Sequence, residues 1–323
     1  MSLLSRLGDN RRTLALECCS LLYNLLTSIT ILSLFPLMDH PGRMLLEHLG
    51  IAILTVILAM VHLRWRNKWT NFLRIAFQLY LLSYWYPETF EFNRLLPNLD
   101  HFFASWEQAL FNCQPSLLFS ENLPQFFWSE AFHMGYVAYF PMIFLVVVCY
   151  FFLRYREFEK VTFVLLASFF IYYLIYIILP VAGPQYYFPA IGWDMASSGV
   201  FPNIEDYFNL HWELPQGPGH TDGLFCSLVE SAHSAGERPT AAFPSSHVGI
   251  STIIMMLSWR LSKRLTAILT PFYVLLCLST VYIHAHYLID SIAGLLSAPI
   301  ICGLSFWLYR ELFENTGSQQ EVA

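Results

Sequence analysis

The chain has 323 residues, of which 56% are hydrophobic and 12% charged, with a formal net charge of −6 at pH 7. Soluble domains carry about twice that charged fraction, so a soluble globular domain is excluded, and no nucleic-acid partner is expected. Apolar runs of about 20 residues recur along the whole length, which predicts a polytopic all-α protein built as one integral membrane domain over residues 1–323.

In chain order the hydropathy predicts about eight transmembrane spans: residues 13–37, 45–63, 71–85, 129–153, 161–179, 245–261, 267–283 and 288–308. The first exceeds the apolar core of a signal peptide, and no small-X-small site follows Phe35-Pro36-Leu37, so it reads as an uncleaved helix. The third is short and carries Arg74, which is expected to snorkel to the headgroups.

Basic residues set the orientation. Arg6, Arg11 and Arg12 precede the first span, and Arg64, Arg66 and Lys68 follow the second. Arg154, Arg156 and Lys160 follow the fourth, Arg260, Lys263 and Arg264 the sixth, and Arg310 the eighth. With eight spans, these 13 of the 17 basic residues fall on one side, which the positive-inside rule makes cytoplasmic together with both termini. Arg43, Arg94 and Arg238 lie on the outer side. A short cytoplasmic tail without a sorting motif favours a bacterial inner membrane over a Golgi lumen.

Two long outer-face loops follow from this layout, 86–128 and 180–244. The first contains Asp100-His101-Phe102-Phe103 and is expected to form one or two short amphipathic helices on the membrane surface. Loops this long are commonly lids or binding segments. Of the seven cysteines, only Cys113 and Cys226 fall in these loops, and their pairing in an oxidising compartment is left open.

The chemistry concentrates at two helix mouths. The first is Phe243-Pro244-Ser245-Ser246-His247, opening an apolar run. Proline and serine suit a helix start, and the free amides there, with the positive end of the helix dipole, favour an anion beside His247. The second comes 39 residues later as His286-Tyr287-Leu288-Ile289-Asp290. His-X-X-X-Asp sets both side chains on one helix face. A carboxylate on one ring nitrogen would fix the tautomer and leave the other nitrogen as nucleophile. Polar residues at membrane helices are costly and therefore point to function. A zinc site is the rival chemistry, but no Cys pair or His-Glu-X-X-His occurs, so no metal and no cofactor is expected. Glu130, His133, Glu47 and His48 also sit near the outer face and read as interfacial.

At these motifs the chain resembles the type 2 phosphatidic acid phosphatase superfamily. The resemblance rests on Phe243-Pro244-Ser245-Ser246-His247 and on His286-Tyr287-Leu288-Ile289-Asp290-Ser291-Ile292-Ala293-Gly294, and runs from Pro180 to Phe306. The local form is most similar to the inositol phosphorylceramide synthase branch. The resemblance implies a six-helix core, with residues 161–308 carrying the catalytic motifs. It implies that His286 attacks phosphorus to give a phosphohistidine and that Asp290 orients it. His247 would protonate the leaving oxygen and then deprotonate the acceptor, and Ser245 and Ser246 would hold phosphate oxygens.

Two features depart from the phosphatase pattern. Thr280 stands where the pattern has an arginine, and Gly183-Pro184-Gln185-Tyr186 stands where it has an early Lys…Arg-Pro. A phosphomonoester is nearly a dianion and a phosphodiester a monoanion, so fewer cations favour a diester substrate. Arg238 is expected to supply the remaining cation, with Gln185 and Tyr186 as further substrate contacts. The resulting expectation is a lipid phosphotransferase with a phosphoinositide- or phosphatidate-like donor and a ceramide- or diacylglycerol-like acceptor. The alternatives are a lipid phosphatase using water, and a transporter or structural membrane protein. The last is disfavoured because no internal repeat is visible.

Overall fold

The computed structural model describes residues 14–214, 217–220 and 222–314. Arg6, Arg11, Arg12 and the first residue of the first expected span lie outside them. The described residues are helical with no strand. Among the described residues, five helices are long and apolar enough to cross a membrane: α1 (Ala15–Ser33), α2 (Pro41–Arg64), α9 (Tyr155–Ile178), α14 (Lys263–Tyr282) and α15 (Leu288–Tyr309), which continues to Glu314. A sixth candidate is the pair α7 (Phe126–Val137) and α8 (Tyr139–Leu153), bent by 41°. Pro141 explains the bend, because its ring displaces the carbonyl of Val137 one turn earlier and it has no N–H to offer.

The two remaining expected spans are shorter than a bilayer helix of about 20 residues. One is α3 (Lys68–Tyr80), of 13 residues, followed after Leu81 by α4 (Leu82–Asn93). The other is α13 (Ser246–Leu261), of 16 residues. The first expected outer loop is thus helical from its beginning, through α4, then α5 (Asp100–Phe111) and α6 (Pro115–Asn122). The second loop contains α10 (Pro184–Ile191), α11 (Trp193–Ser197) and α12 (Leu224–Gly236).

The chain divides into two compact units. The first comprises residues 1–84, 147–170 and 301–323. Here the expectation for Arg74 fails. Its side chain is fully buried and does not snorkel. Nη1 donates to both carboxylate oxygens of Glu17, at 2.8 and 2.6 Å, Nη2 donates to Glu159, and Nε donates to Asn71 Oδ1 at 2.9 Å. One guanidinium therefore ties α1, α3 and α9 together. Its partners lie 57 and 85 residues away in sequence, which no local reading could supply. Glu47, expected at the interface, pairs with Arg43 at 2.8 Å and accepts from the Tyr84 hydroxyl at 3.0 Å, and His48 Nδ1 meets Ser28 Oγ at 2.8 Å.

The second unit comprises residues 85–146 and 171–300 and holds both motifs. Its helices α7, α13 and α14 pack side by side, with α6 and α12 against them. Gly294 on α15 faces the carbonyl of Ser245 and the amide of Gly249, 3.3 Å from where a Cβ would stand. A side chain there would push backbone, so glycine is what lets α15 approach the mouth of α13. We expect Gly294→Ala to lower turnover at least about tenfold and to cost about 1–3 kcal/mol of stability, because overpacking against backbone cannot relax locally. Thermal unfolding alongside an activity assay checks this.

Candidate active site

The mouth of α13 is built from its own sequence. Ser245 is the N-cap, and its Oγ accepts the amide of Val248 at 3.3 Å. The amide of Ser246 donates to the Tyr176 hydroxyl at 2.9 Å, and that hydroxyl donates to the Pro244 carbonyl at 3.0 Å. The serines expected to hold phosphate therefore also secure the helix start, and both are buried. The next residue, His247, projects between the rings of Tyr136 and Tyr139, with centroids 4.7 and 4.6 Å away.

The second motif sits on the turn between α14 and α15. The His286 amide donates to the carbonyl of Thr280 at 3.0 Å, so the residue standing at the family's arginine position helps shape the turn through its backbone. His286 Nδ1 lies 2.7 Å from the Ala242 carbonyl. A carbonyl can only accept, so Nδ1 carries the proton and Nε2 bears the lone pair. Nε2 points at His247 Nδ1, 3.4 Å away.

Asp290 differs from expectation. Its Oδ2 is 3.8 Å from His286 Nδ1, too far for a hydrogen bond, and instead accepts the amide of Tyr287 at 2.9 Å. This is half of a capping box, the third helical residue reaching back to the N-cap amide. The Ala242 carbonyl therefore sets the tautomer, and the fully buried Asp290 carboxylate stands one step away. The Asp290 carbonyl also accepts the amide of Ser245 at 3.0 Å, which couples the two motifs through backbone.

Burial lowers the His286 pKa to about 4, against the opposing influence of the Ala242 carbonyl and Glu237. The imidazole is neutral at physiological pH, as a nucleophile requires. Glu237 is itself raised to about 6 by burial, although the Tyr86 hydroxyl donates to its Oε1 at 2.8 Å.

Three expected substrate contacts lie in the wall of a cavity of about 560 Å³. These are Gln185, Tyr186 and Arg238, joined there by His133, His233, Glu237 and His284. The Tyr186 hydroxyl is buried without a hydrogen-bond partner among the described residues. Arg238 donates from Nη1 to the Glu237 carbonyl at 3.0 Å and lies over the Trp212 ring, 5.1 Å from its centroid. Arg94 pairs instead with Glu91 at 3.6 Å. Glu130 stays out of this wall and receives the amides of Phe225 and Cys226 at the start of α12, at 3.1 and 3.0 Å. Cys113 and Cys226 are both free thiols.

The model of the PAP2 superfamily matches residues 102–304. The chain belongs to the PAP2 superfamily. No curated protein and no solved structure matches it. PAP2 proteins are phosphatases or phosphotransferases acting on lipid phosphates, and membership suggests that broad activity for the chain.

Around the two histidines, the groups that hold them carry little signal in the sequence. The Ala242 carbonyl carries no side-chain signal at all. Asp100 and Glu107 could have been noticed, because two acids seven residues apart share one face of the helix.

Proposed function

We propose that the protein is a membrane lipid phosphotransferase that moves an inositol phosphate-like head group from a phosphoinositide-like donor onto a ceramide-like alcohol. The observation that carries this reading is the imidazole pair, with His286 Nε2 unprotonated and facing His247 while Nδ1 is held by the Ala242 carbonyl. In the first step His286 Nε2 forms a bond to phosphorus as the bond from phosphorus to the diacylglycerol oxygen breaks. His247 gives that oxygen its proton. In the second step His247 takes the proton of the acceptor hydroxyl, whose oxygen attacks phosphorus and frees His286. The carboxylate of Asp290 favours the positive charge that His286 gains while phosphorylated. Arg238, Gln185 and Tyr186 face the head group from the cavity, and Ser245 and Ser246 hold the mouth where phosphate sits.

Thr280 and Gly183 support a diester, since neither supplies the second cation a monoester dianion would need. In this reading the chain is one integral membrane domain with eight spans, α3–α4 and α13 completing the count. The termini are then cytoplasmic, and both motifs open on the outer face. The PAP2 phosphatase reaction, with water as acceptor, is the second reading.

Purified protein incubated with phosphatidylinositol, with and without ceramide, separates the two. Transfer predicts inositol phosphorylceramide and diacylglycerol only when ceramide is present. Release of phosphate from phosphatidic acid, with no ceramide-dependent product, would establish the phosphatase instead.

A pH profile tests the nucleophile. His286 is held neutral down to about pH 4, so the acid limb of kcat/KM should have its midpoint near 4 rather than near the free imidazole value of about 6.5. The sign for stability is the same. A depressed folded pKa contributes stability above about 6.5 that is lost as pH falls towards 4. An acid limb centred near 6.5 would contradict a buried, neutral His286.

A further inference from the structure

The helix that carries Asp290 begins badly by its own sequence. Its N-cap is Tyr287, which has no side-chain acceptor for the first helical amides, and such orphan donors are costly when buried. Asp290 satisfies only the Tyr287 amide. The amides of Leu288 and Ile289 are satisfied from another element: Glu107 Oε1, on α5, accepts them at 2.5 and 3.3 Å. Glu107 is fully buried, so these bonds are sheltered from water.

Two turns earlier on the same face of α5 stands Asp100, also fully buried. Its Oδ1 accepts the Tyr287 hydroxyl at 3.0 Å and the amide of Gly183 at 2.8 Å. Its Oδ2 accepts the amide of Ala182 at 2.7 Å. The strap of residues 181–183, just before α10, has its own link to the nucleophile, because the Val181 carbonyl accepts the amide of Ala242 at 2.9 Å and the Ala242 carbonyl holds His286 Nδ1. Gly183 has φ of +92°, and a Cβ there would stand 2.7 Å from the Ala285 carbonyl, so the strap runs directly against the turn that presents His286. The opposite face of α5 exposes Phe102, Trp106 and Leu110, spaced four residues apart.

We propose that α5 is a brace for the nucleophile, with Glu107 capping the helix of Asp290 from outside and Asp100 fixing both Tyr287 and the strap that orients His286. Neither carboxylate touches substrate, and both are positioning residues. Burying two acids beside Asp290 is unfavourable, and burial raises the Glu107 pKa to about 8 and moves Asp100 upward as well. Such a cost is retained where it buys geometry. The sequence expectation of a helix resting on the membrane surface thus covers only the apolar face of α5. Its acidic face belongs to the site.

The proposal rests on His286 being the nucleophile, so the test carries one readout that does not need turnover. Glu107→Ala, Glu107→Gln and wild type are compared for kcat and KM on phosphatidylinositol with ceramide. They are also compared for the rate at which diethyl pyrocarbonate carbethoxylates His286, mapped by mass spectrometry. Glutamine keeps an oxygen for the two amides, so it should stay within about threefold of wild type in kcat, whereas alanine should lose about thirtyfold with KM unchanged. Carbethoxylation of His286 should change at least about threefold in the alanine variant and little in the glutamine variant. If wild type gives no turnover, the proposed function fails while the carbethoxylation comparison still decides the brace. Equal His286 reactivity in all three proteins overturns the brace. So does a kcat loss in the glutamine variant as deep as in the alanine variant, or an alanine loss explained entirely by a smaller folded fraction.

Discussion

If His286 is the proposed nucleophile, replacing it with alanine is expected to reduce turnover at least about 10³-fold, because the proposed bond to phosphorus can no longer form. The protein should remain folded. The change leaves the Ala242 carbonyl without the Nδ1 proton it receives at 2.7 Å, a penalty of about 1–3 kcal/mol for an unpaired buried acceptor. Asp290→Asn should be milder. A tautomer enforced by Asp290 would predict a deep loss in the asparagine variant, whereas here the Ala242 carbonyl enforces it and Asp290 lies 3.8 Å away. Asparagine loses the negative charge that favours a phosphorylated, cationic imidazole. An electrostatic contribution of about 1.5–3 kcal/mol corresponds to a loss of about ten- to a hundredfold. Rapid-quench trapping of labelled phosphate, followed by peptide mapping to residue 286, measures the intermediate directly. Wild-type turnover by His286→Ala would remove the phosphohistidine from the mechanism.

The two motifs were legible because each is local. Pro-Ser-Ser-His reads as a helix start, and His-X-X-X-Asp puts two groups on one face whatever surrounds them. The helical membrane class was legible for a similar reason, since an apolar run carries its own length. What stayed hidden is what distant segments supply. The bond expected between Asp290 and His286 is displaced by a backbone carbonyl 44 residues earlier, which has no residue-type signature. Helix ends moved as well, because α4 continues to Asn93 on residues whose polarity reads as loop. Its Glu88 and Asn93 are buried in the second unit, so tertiary packing overrides their solvent-seeking character. Arg238 is the cation expected from its place shortly before His247, and packing separates it further from Arg94: Arg238 lines the cavity, and Arg94 pairs with Glu91.

Arg74 shows the same limit with the larger consequence for stability. Snorkelling is the ordinary fate of an arginine near a membrane helix end, but the two carboxylates of Glu17 and Glu159 offer it a buried alternative. Arg74→Met is expected to destabilise the protein by about 2–4 kcal/mol, because it leaves the buried Glu17 and the partly buried Glu159 carboxylates without their shared cation. Arg74→Lys should recover only part of this, since an ammonium lacks the fork that reaches Glu17, Asn71 and Glu159 at once. The informative variant is the triple change Arg74→Met, Glu17→Gln, Glu159→Gln. If the penalty comes from uncompensated charge, removing the charges should restore most of the lost stability, whereas a penalty from lost packing would persist. Unfolding in mixed detergent micelles, followed by tryptophan fluorescence, gives the comparison. A single Arg74→Met variant as stable as wild type would mean that the ion-pair network contributes nothing to the fold of the first unit.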